Sequence, residues 1–193
     1  MNEEKSEMGA NETEKYLTPG PQTQITPEVE KIVSEVKGTA IERTEKILEM
    51  GPSLVGFKEY DVRIFRKRTG SQILQDKYIT GCADAALVFI TLARASGVPV
   101  KYVETIDEEW LRKGGNSLIG HVYAQVYDEL KDQWVFVDPM KREVNVSIPK
   151  DSIIFKEGLD SWEIGIKDFE TQEKRFKEFR EEYSRKIPKS KIN

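Results

Sequence analysis

The sequence has a single cysteine, Cys82, and a single histidine, His121. One thiol forms no internal disulfide, which fits a reducing compartment. One cysteine and one histidine also fall short of the four Cys or His ligands of a structural zinc site. Long apolar runs are missing as well. The longest stretch, Ala85 to Ala95, is broken by Thr91 and Arg94 and is too short to span a bilayer. No apolar segment follows the opening MNEEKSEMGANETEK, so no secretory signal is expected. Nor is there a basic excess: the formal net charge is -4, which argues against a general polyanion binder. These absences lead to the expectation of a cytoplasmic protein that takes no cofactor or metal and engages neither membrane nor nucleic acid.

The 193 residues suffice for one domain with a substantial core plus tails. Residues 1–25 contain Asn, Glu, Thr, Gly and Pro with almost no large apolar side chains, and are expected to form a disordered acidic tail. Structure is expected from Thr26, which can cap a helix opened by Pro27 and carried by Val29, Ile32, Val33 and Val36 on one face. A second helix, AIERTEKILEMG, is expected to stop at Gly51-Pro52. In EYDVRIFRKRTGSQILQDKYIT, Val62, Ile64 and Phe65 suggest a short extended piece, and TGSQILQ one or two helical turns. Arg63, Arg66, Lys67 and Arg68 cluster there, either as a solvated face and partners for the acids or as a patch for an acidic substrate.

From Ala83 to Ser96 nearly every side of a helix is apolar, so this helix is expected at the centre of the fold. VPVKYVETI reads as a strand and DEEWLRK as a short helix, in which Trp110 is either an anchor or a lid. GHVYAQVYD and QWVFVDP alternate in character and form a candidate hairpin, with Trp134 expected to pack behind the second strand. Extended pieces follow near Val144 to Phe155. The helix FETQEKRFKEFREEY then carries Phe169, Phe176, Phe179 and Tyr183 on a stripe that suits packing on a sheet. The domain is expected to span 26–187, with residues 188–193 a basic fringe.

Three residues stand out chemically. Cys82 follows Gly81 at a helix start, where glycine permits a sharp entry, the dipole favours thiolate, and first-turn N–H groups lack intrahelical partners. On position alone it is equally a small buried hydrophobe. Asp84, in the first turn, supports the helix end but opposes a thiolate. His121 opens one hairpin strand and Asp138 ends the other. A two-residue turn between Glu129 and Asp132 sets Tyr123 opposite Asp138 and leaves His121 diagonal to it, while a register two residues along sets His121 directly opposite Asp138; either brings the two within roughly 4.5–8 Å between backbones. A slip by one residue would put them on opposite faces. Thiol, imidazole and carboxylate together supply a nucleophile, a proton carrier and an orienting group.

The stretches TGCADAALVFITLARASGVPVKYVE, GHVYAQVYDE and WVFVDP resemble the transglutaminase-like superfamily of the papain-like cysteine protease fold. The carriers are Cys82 at a helix start, Arg94-Ala95-Ser96-Gly97-Val98-Pro99 at its end, Gly120-His121, and Trp134 to Pro139, in that order. The resemblance implies an α+β core, with the nucleophile's helix packed on an antiparallel sheet and helices flanking it at both ends. It also implies a Cys82–His121–Asp138 triad for acyl transfer on amide or isopeptide bonds of a protein or peptide; the alternative is a catalytically idle peptide- or protein-binding module. One departure is that all three tryptophans follow Cys82, whereas animal transglutaminases use an upstream tryptophan as an oxyanion donor. The Cys82 N–H remains, and Gln72 or Gln75 is the candidate second donor, as a glutamine is in papain-like enzymes.

Overall fold

The computed structural model describes residues 12–115 and 119–186. Its centre is the helix α5 (Cys82–Ala95), in which Ala83 through Arg94 are all buried. Such a helix needs neighbours on every side. It packs on β3 (Val100–Asp107) and β4 (Gly120–Asp128), and is flanked by α2 (Pro27–Val33), α3 (Ala40–Leu54) and α4 (Gly70–Asp76). α5 ends on Ser96 in a Schellman arrangement: Val98 N donates to Ala93 O and Gly97 N to Arg94 O, with Gly97 at φ 83°. The chain is thereby reversed directly into β3.

The sheet has the order β6-β5-β4-β3-β7, with β5 at Gln133–Asp138, β6 at Glu143–Val144 and β7 at Ser152–Gly158. All its pairings are antiparallel. A minor parallel pair joins β1 (Gly56–Phe57) to β2 (Tyr78–Ile79), just before α5. The short helix α6 (Glu108–Lys113) is capped by Asp107, and α7 (Phe169–Lys186) closes the chain. Phe176 is wholly buried between Trp110 and Phe155, and Phe179 lies edge-on to Phe155. Phe176, Phe179 and Tyr183 of the aromatic stripe thus pack on β7 and α6, whereas Phe169 is exposed and lies against Phe65, and Trp110 is an anchor rather than a lid. Trp134 is only half-buried and packs against Tyr16 and Tyr127. No helix among the described residues is long and apolar enough to cross a membrane.

Three local expectations are corrected. α3 does not stop at Gly51-Pro52 but runs to Leu54. Within the last turn Pro52 forfeits only one hydrogen bond, while Val55 N still reaches Gly51 O and Ser53 Oγ caps Met50 O. Residues 62–67 are turns, not an extended piece. The Asp61 carboxylate accepts from Arg63 N and its guanidinium, and such a side-chain-to-backbone bond competes with strand formation.

The third correction concerns the N-terminal segment. Residues 12–17 are helical (α1), Tyr16 is buried, and Gln22 and Thr23 are fully so. The Arg94 guanidinium holds this strap, donating to Tyr16 O, Thr23 Oγ1, Val100 O and Leu159 O. Gln22 donates to Arg66 O and Arg68 O, accepts from Ser161 Oγ, and gives its N–H to Asp160. The composition argument for disorder weighs apolar area, and here buried hydrogen bonds to a charged group provide the ordering instead. The expected tail therefore does not extend over 12–25. Its first eleven residues and the basic fringe at 188–193 lie outside the described residues.

Candidate active site

Cys82 is the first residue of α5 and half-buried. Gly81 before it is extended (φ 169°, ψ -170°), and a Cβ there would meet nothing within 4 Å, so the helix entry does not depend on glycine. The first bond of the helix is donated by Ala85 N to Gly81 O, and Gly81 offers no capping side chain. The N–H groups of Cys82, Ala83 and Asp84 therefore precede the intrahelical ladder.

Asp84 is buried and fully engaged. Its Oδ2 accepts from Thr80 N and Thr80 Oγ1 at 2.9 Å each and from Arg68 Nη2 at 2.6 Å. Arg68 also bonds Asp76. The negative charge in the turn of the thiol is thus neutralised by an ion pair, and it locks the turn that presents Cys82. Two of the four clustered basic residues, Arg66 and Arg68, are buried partners of acids rather than a solvated face.

Of the two expected registers, the hairpin takes the one set by a turn between Glu129 and Asp132. Ala124 pairs Val137 and Asp128 pairs Gln133, which leaves His121 on the diagonal from Asp138. The gap is closed by side chains: His121 Nε2 lies 3.0 Å from Asp138 Oδ2. The carboxylate is 1% exposed, and its Oδ1 accepts from Met140 N and Lys141 N, which fixes its plane. On the other side of β4, Thr105 Oγ1 donates to His121 O, so the strand that carries the imidazole is pinned to β3.

Burial pushes the His121 imidazole down, but the hydrogen bond to Asp138 and the neighbouring Cys82 sulfur outweigh it and hold its pKa at about 9. Asp138 responds in the opposite sense. Burial raises it, but the His121 hydrogen bond and the Lys141 N–H keep it below the usual carboxylate value. With Nε2 turned to Asp138, Nδ1 is the ring nitrogen left for the thiol. Such a set can hold a thiolate beside an imidazolium, deliver the proton to a leaving group and take one from an incoming nucleophile.

Cys82 and His121 line a cavity of about 230 Å³. Tyr60, Phe65 and Phe169 form an aromatic cluster on its wall, and Arg66, Glu104 and Gln172 are its polar lining. A larger apolar cavity between α3 and α5 does not touch either residue. Among the described residues no group of acids, Cys and His is arranged to hold a metal ion.

The candidate second donors are not brought here. Gln72 Oε1 accepts from Thr69 N in the capping box of α4, Gln75 is exposed, and neither lines the cavity. The residues missed in the sequence are Glu104 and Gln172, while Arg66 was noticed only as one of four clustered basic residues. Glu104 has a weak signal, as a carboxylate inside an otherwise apolar strand; Gln172, one of many polar residues on α7, has none.

Comparison with known proteins agrees with this architecture. A family model described as the transglutaminase-like superfamily matches residues 30–139. No curated protein matches the chain. A candidate cysteine protease from Cytophaga hutchinsonii shares the fold with a TM-score of 0.57 at 15% identity, over 78% of this chain and 48% of that one. LapG from Legionella pneumophila does so with a TM-score of 0.51 at 11% identity, over 81% of this chain and 98% of that one. The chain spans about half the length of the Cytophaga protein (48%), and at these identities the likeness is one of fold. Because the family match covers more than half of the sequence and includes the helix of Cys82 and the hairpin of His121 and Asp138, the chain belongs to the transglutaminase-like superfamily.

Proposed function

We propose that the protein is a cysteine-dependent acyl-transfer enzyme acting on amide or isopeptide bonds of a protein or peptide. Cys82 is the nucleophile, His121 the general base and acid, and Asp138 the group that orients the imidazole. The observation that carries this reading is the 3.0 Å bond from His121 Nε2 to a buried Asp138, with His121 lining the same cavity as the only thiol. An isolated structural His–Asp pair needs no thiol beside it.

In the proposed reaction the Cys82 sulfur attacks the carbonyl carbon, and the N–H groups at the start of α5 face the developing oxyanion. The imidazolium gives its proton to the departing amine, leaving a thioester on Cys82. Water, deprotonated by the now neutral His121, attacks the thioester and releases the acid; the proton returns to the Cys82–His121 pair. The acyl acceptor is taken to be water, and an amine in its place would give transfer rather than hydrolysis.

The test is the rate of Cys82 alkylation by iodoacetamide as a function of pH in the wild type and in His121→Ala. The wild-type thiol should be alkylated several-fold faster than that of His121→Ala at neutral and mildly acidic pH. If both proteins react at the same rate across that range, the activated nucleophile does not exist.

A further inference from the structure

Arg66 is 3% exposed and lines the cavity of Cys82 and His121. Its two terminal nitrogens are used: Nη2 bonds Glu104 Oε1 at 2.7 Å, and Nη1 bonds Glu104 Oε2 at 2.9 Å as well as Tyr102 Oη. Its Nε–H, also buried, has no partner among the described residues. A buried donor left unsatisfied is costly, so an unpaired guanidinium N–H on a residue that lines a cavity marks a place where a ligand acceptor would relieve that cost.

The backbone of Arg66 is held with comparable care. Its φ is 59°, a left-handed conformation that is unfavourable for a branched or long side chain. Gln22 Nε2 and Trp162 Nε1 both donate to its carbonyl, one from the N-terminal strap and one from the segment before α7. Strained positions persist only where the surroundings over-determine them, and they gather at ligand sites. In the lining of the same cavity Gln172, 8% exposed, makes no side-chain hydrogen bond to any described residue, although its amide has donors and an acceptor to offer.

We propose that Arg66 Nε–H and the Gln172 amide form a polar cradle that receives a carbonyl oxygen of the substrate and positions its acyl group against Cys82. The Arg66–Glu104 pair is charge-balanced, so the cradle suits a neutral amide group rather than a carboxylate or phosphate. The adjoining aromatic cluster of Tyr60, Phe65 and Phe169 suits an apolar neighbour of that amide in a peptide. The assignment rests on the acyl-transfer reading of Cys82.

The test compares two thiol reagents on the full chain. Iodoacetamide carries a carboxamide; methyl methanethiosulfonate carries no carbonyl. Gln172→Met and Arg66→Lys should each slow iodoacetamide by about threefold to tenfold, the loss of one hydrogen bond, and leave the thiosulfonate rate unchanged. Should Arg66→Lys fail to fold, as shown by loss of its thermal transition, Gln172→Met alone decides the outcome. Equal slowing of both reagents, or no change with either in folded Gln172→Met, overturns the cradle. His121→Ala separates the two hypotheses: it slows both reagents near neutral pH if the acyl-transfer reading holds. If it slows neither, that reading fails, whatever the Gln172 result.

Discussion

Because His121 is the only histidine, its ring gives a single imidazole signal that needs no assignment. A proton–carbon NMR titration of an untagged protein therefore measures the central interaction of the site directly. Holding an imidazole at about 9 instead of 6.5 amounts to about 3 kcal/mol of preference for the charged form. Burial works against that preference, so Asp138 and Cys82 together must supply more than the net figure. Replacing Asp138 with asparagine removes the buried negative charge but keeps an oxygen that can bond Nε2. An adjacent opposite charge moves a pKa by about 1–3, so the midpoint in Asp138→Asn should fall from about 9 to roughly 6–8. Stability should follow. A histidine raised on folding contributes its full share below 6.5 and loses it as pH climbs through about 9, so wild-type stability should decline over that alkaline window. In Asp138→Asn the decline should shrink and end at lower pH. A wild-type midpoint at or below 6.5, or one unmoved by Asp138→Asn, refutes the assignment of His121 as a charged partner of both groups.

Two further outcomes bear on the scaffold. Asp84→Ala strips one of two carboxylates from Arg68, leaving Asp76, and takes the acceptor from the Thr80 N–H and hydroxyl, all at the buried entrance to α5. It should cost about 3–5 kcal/mol in urea unfolding, with the pH profile of Cys82 alkylation disturbed in the protein that remains folded. Arg94→Met removes the hydrogen bonds to Tyr16 O and Thr23 Oγ1. Limited proteolysis should then cut within residues 12–25 several-fold faster than in the wild type, and an unchanged rate would show that Arg94 does not hold the strap.

The elements around the site are those whose signals are local. The all-apolar run after Cys82 has one stable placement, inside, and alternation along GHVYAQVYD and QWVFVD fixes which side chains share a face. A tight turn then fixes the register, and with it the diagonal of His121 and Asp138. Boundaries were less legible. α3 continues through Gly51-Pro52 because a proline in the last turn forfeits little, and residues 62–67 turn because the Asp61 side chain captures the backbone. Gln72 and Gln75 carry the right amide but sit on a helix whose cap and exposure turn them elsewhere.

The sequence by itself thus determined the order, spacing and chemistry of the Cys82, His121 and Asp138 constellation, since one helix start and one hairpin place it. Only the tertiary structure decided that Asp84 is neutralised by Arg68, that Gln22 and Arg94 bind the N-terminal strap to the body, and that Arg66 and Gln172 face the same cavity. The physical reason is range. Gln22 and Ser161 meet across a separation of 139 residues, and a buried polar group takes whichever partner the packed fold brings within reach, a choice that no local periodicity records.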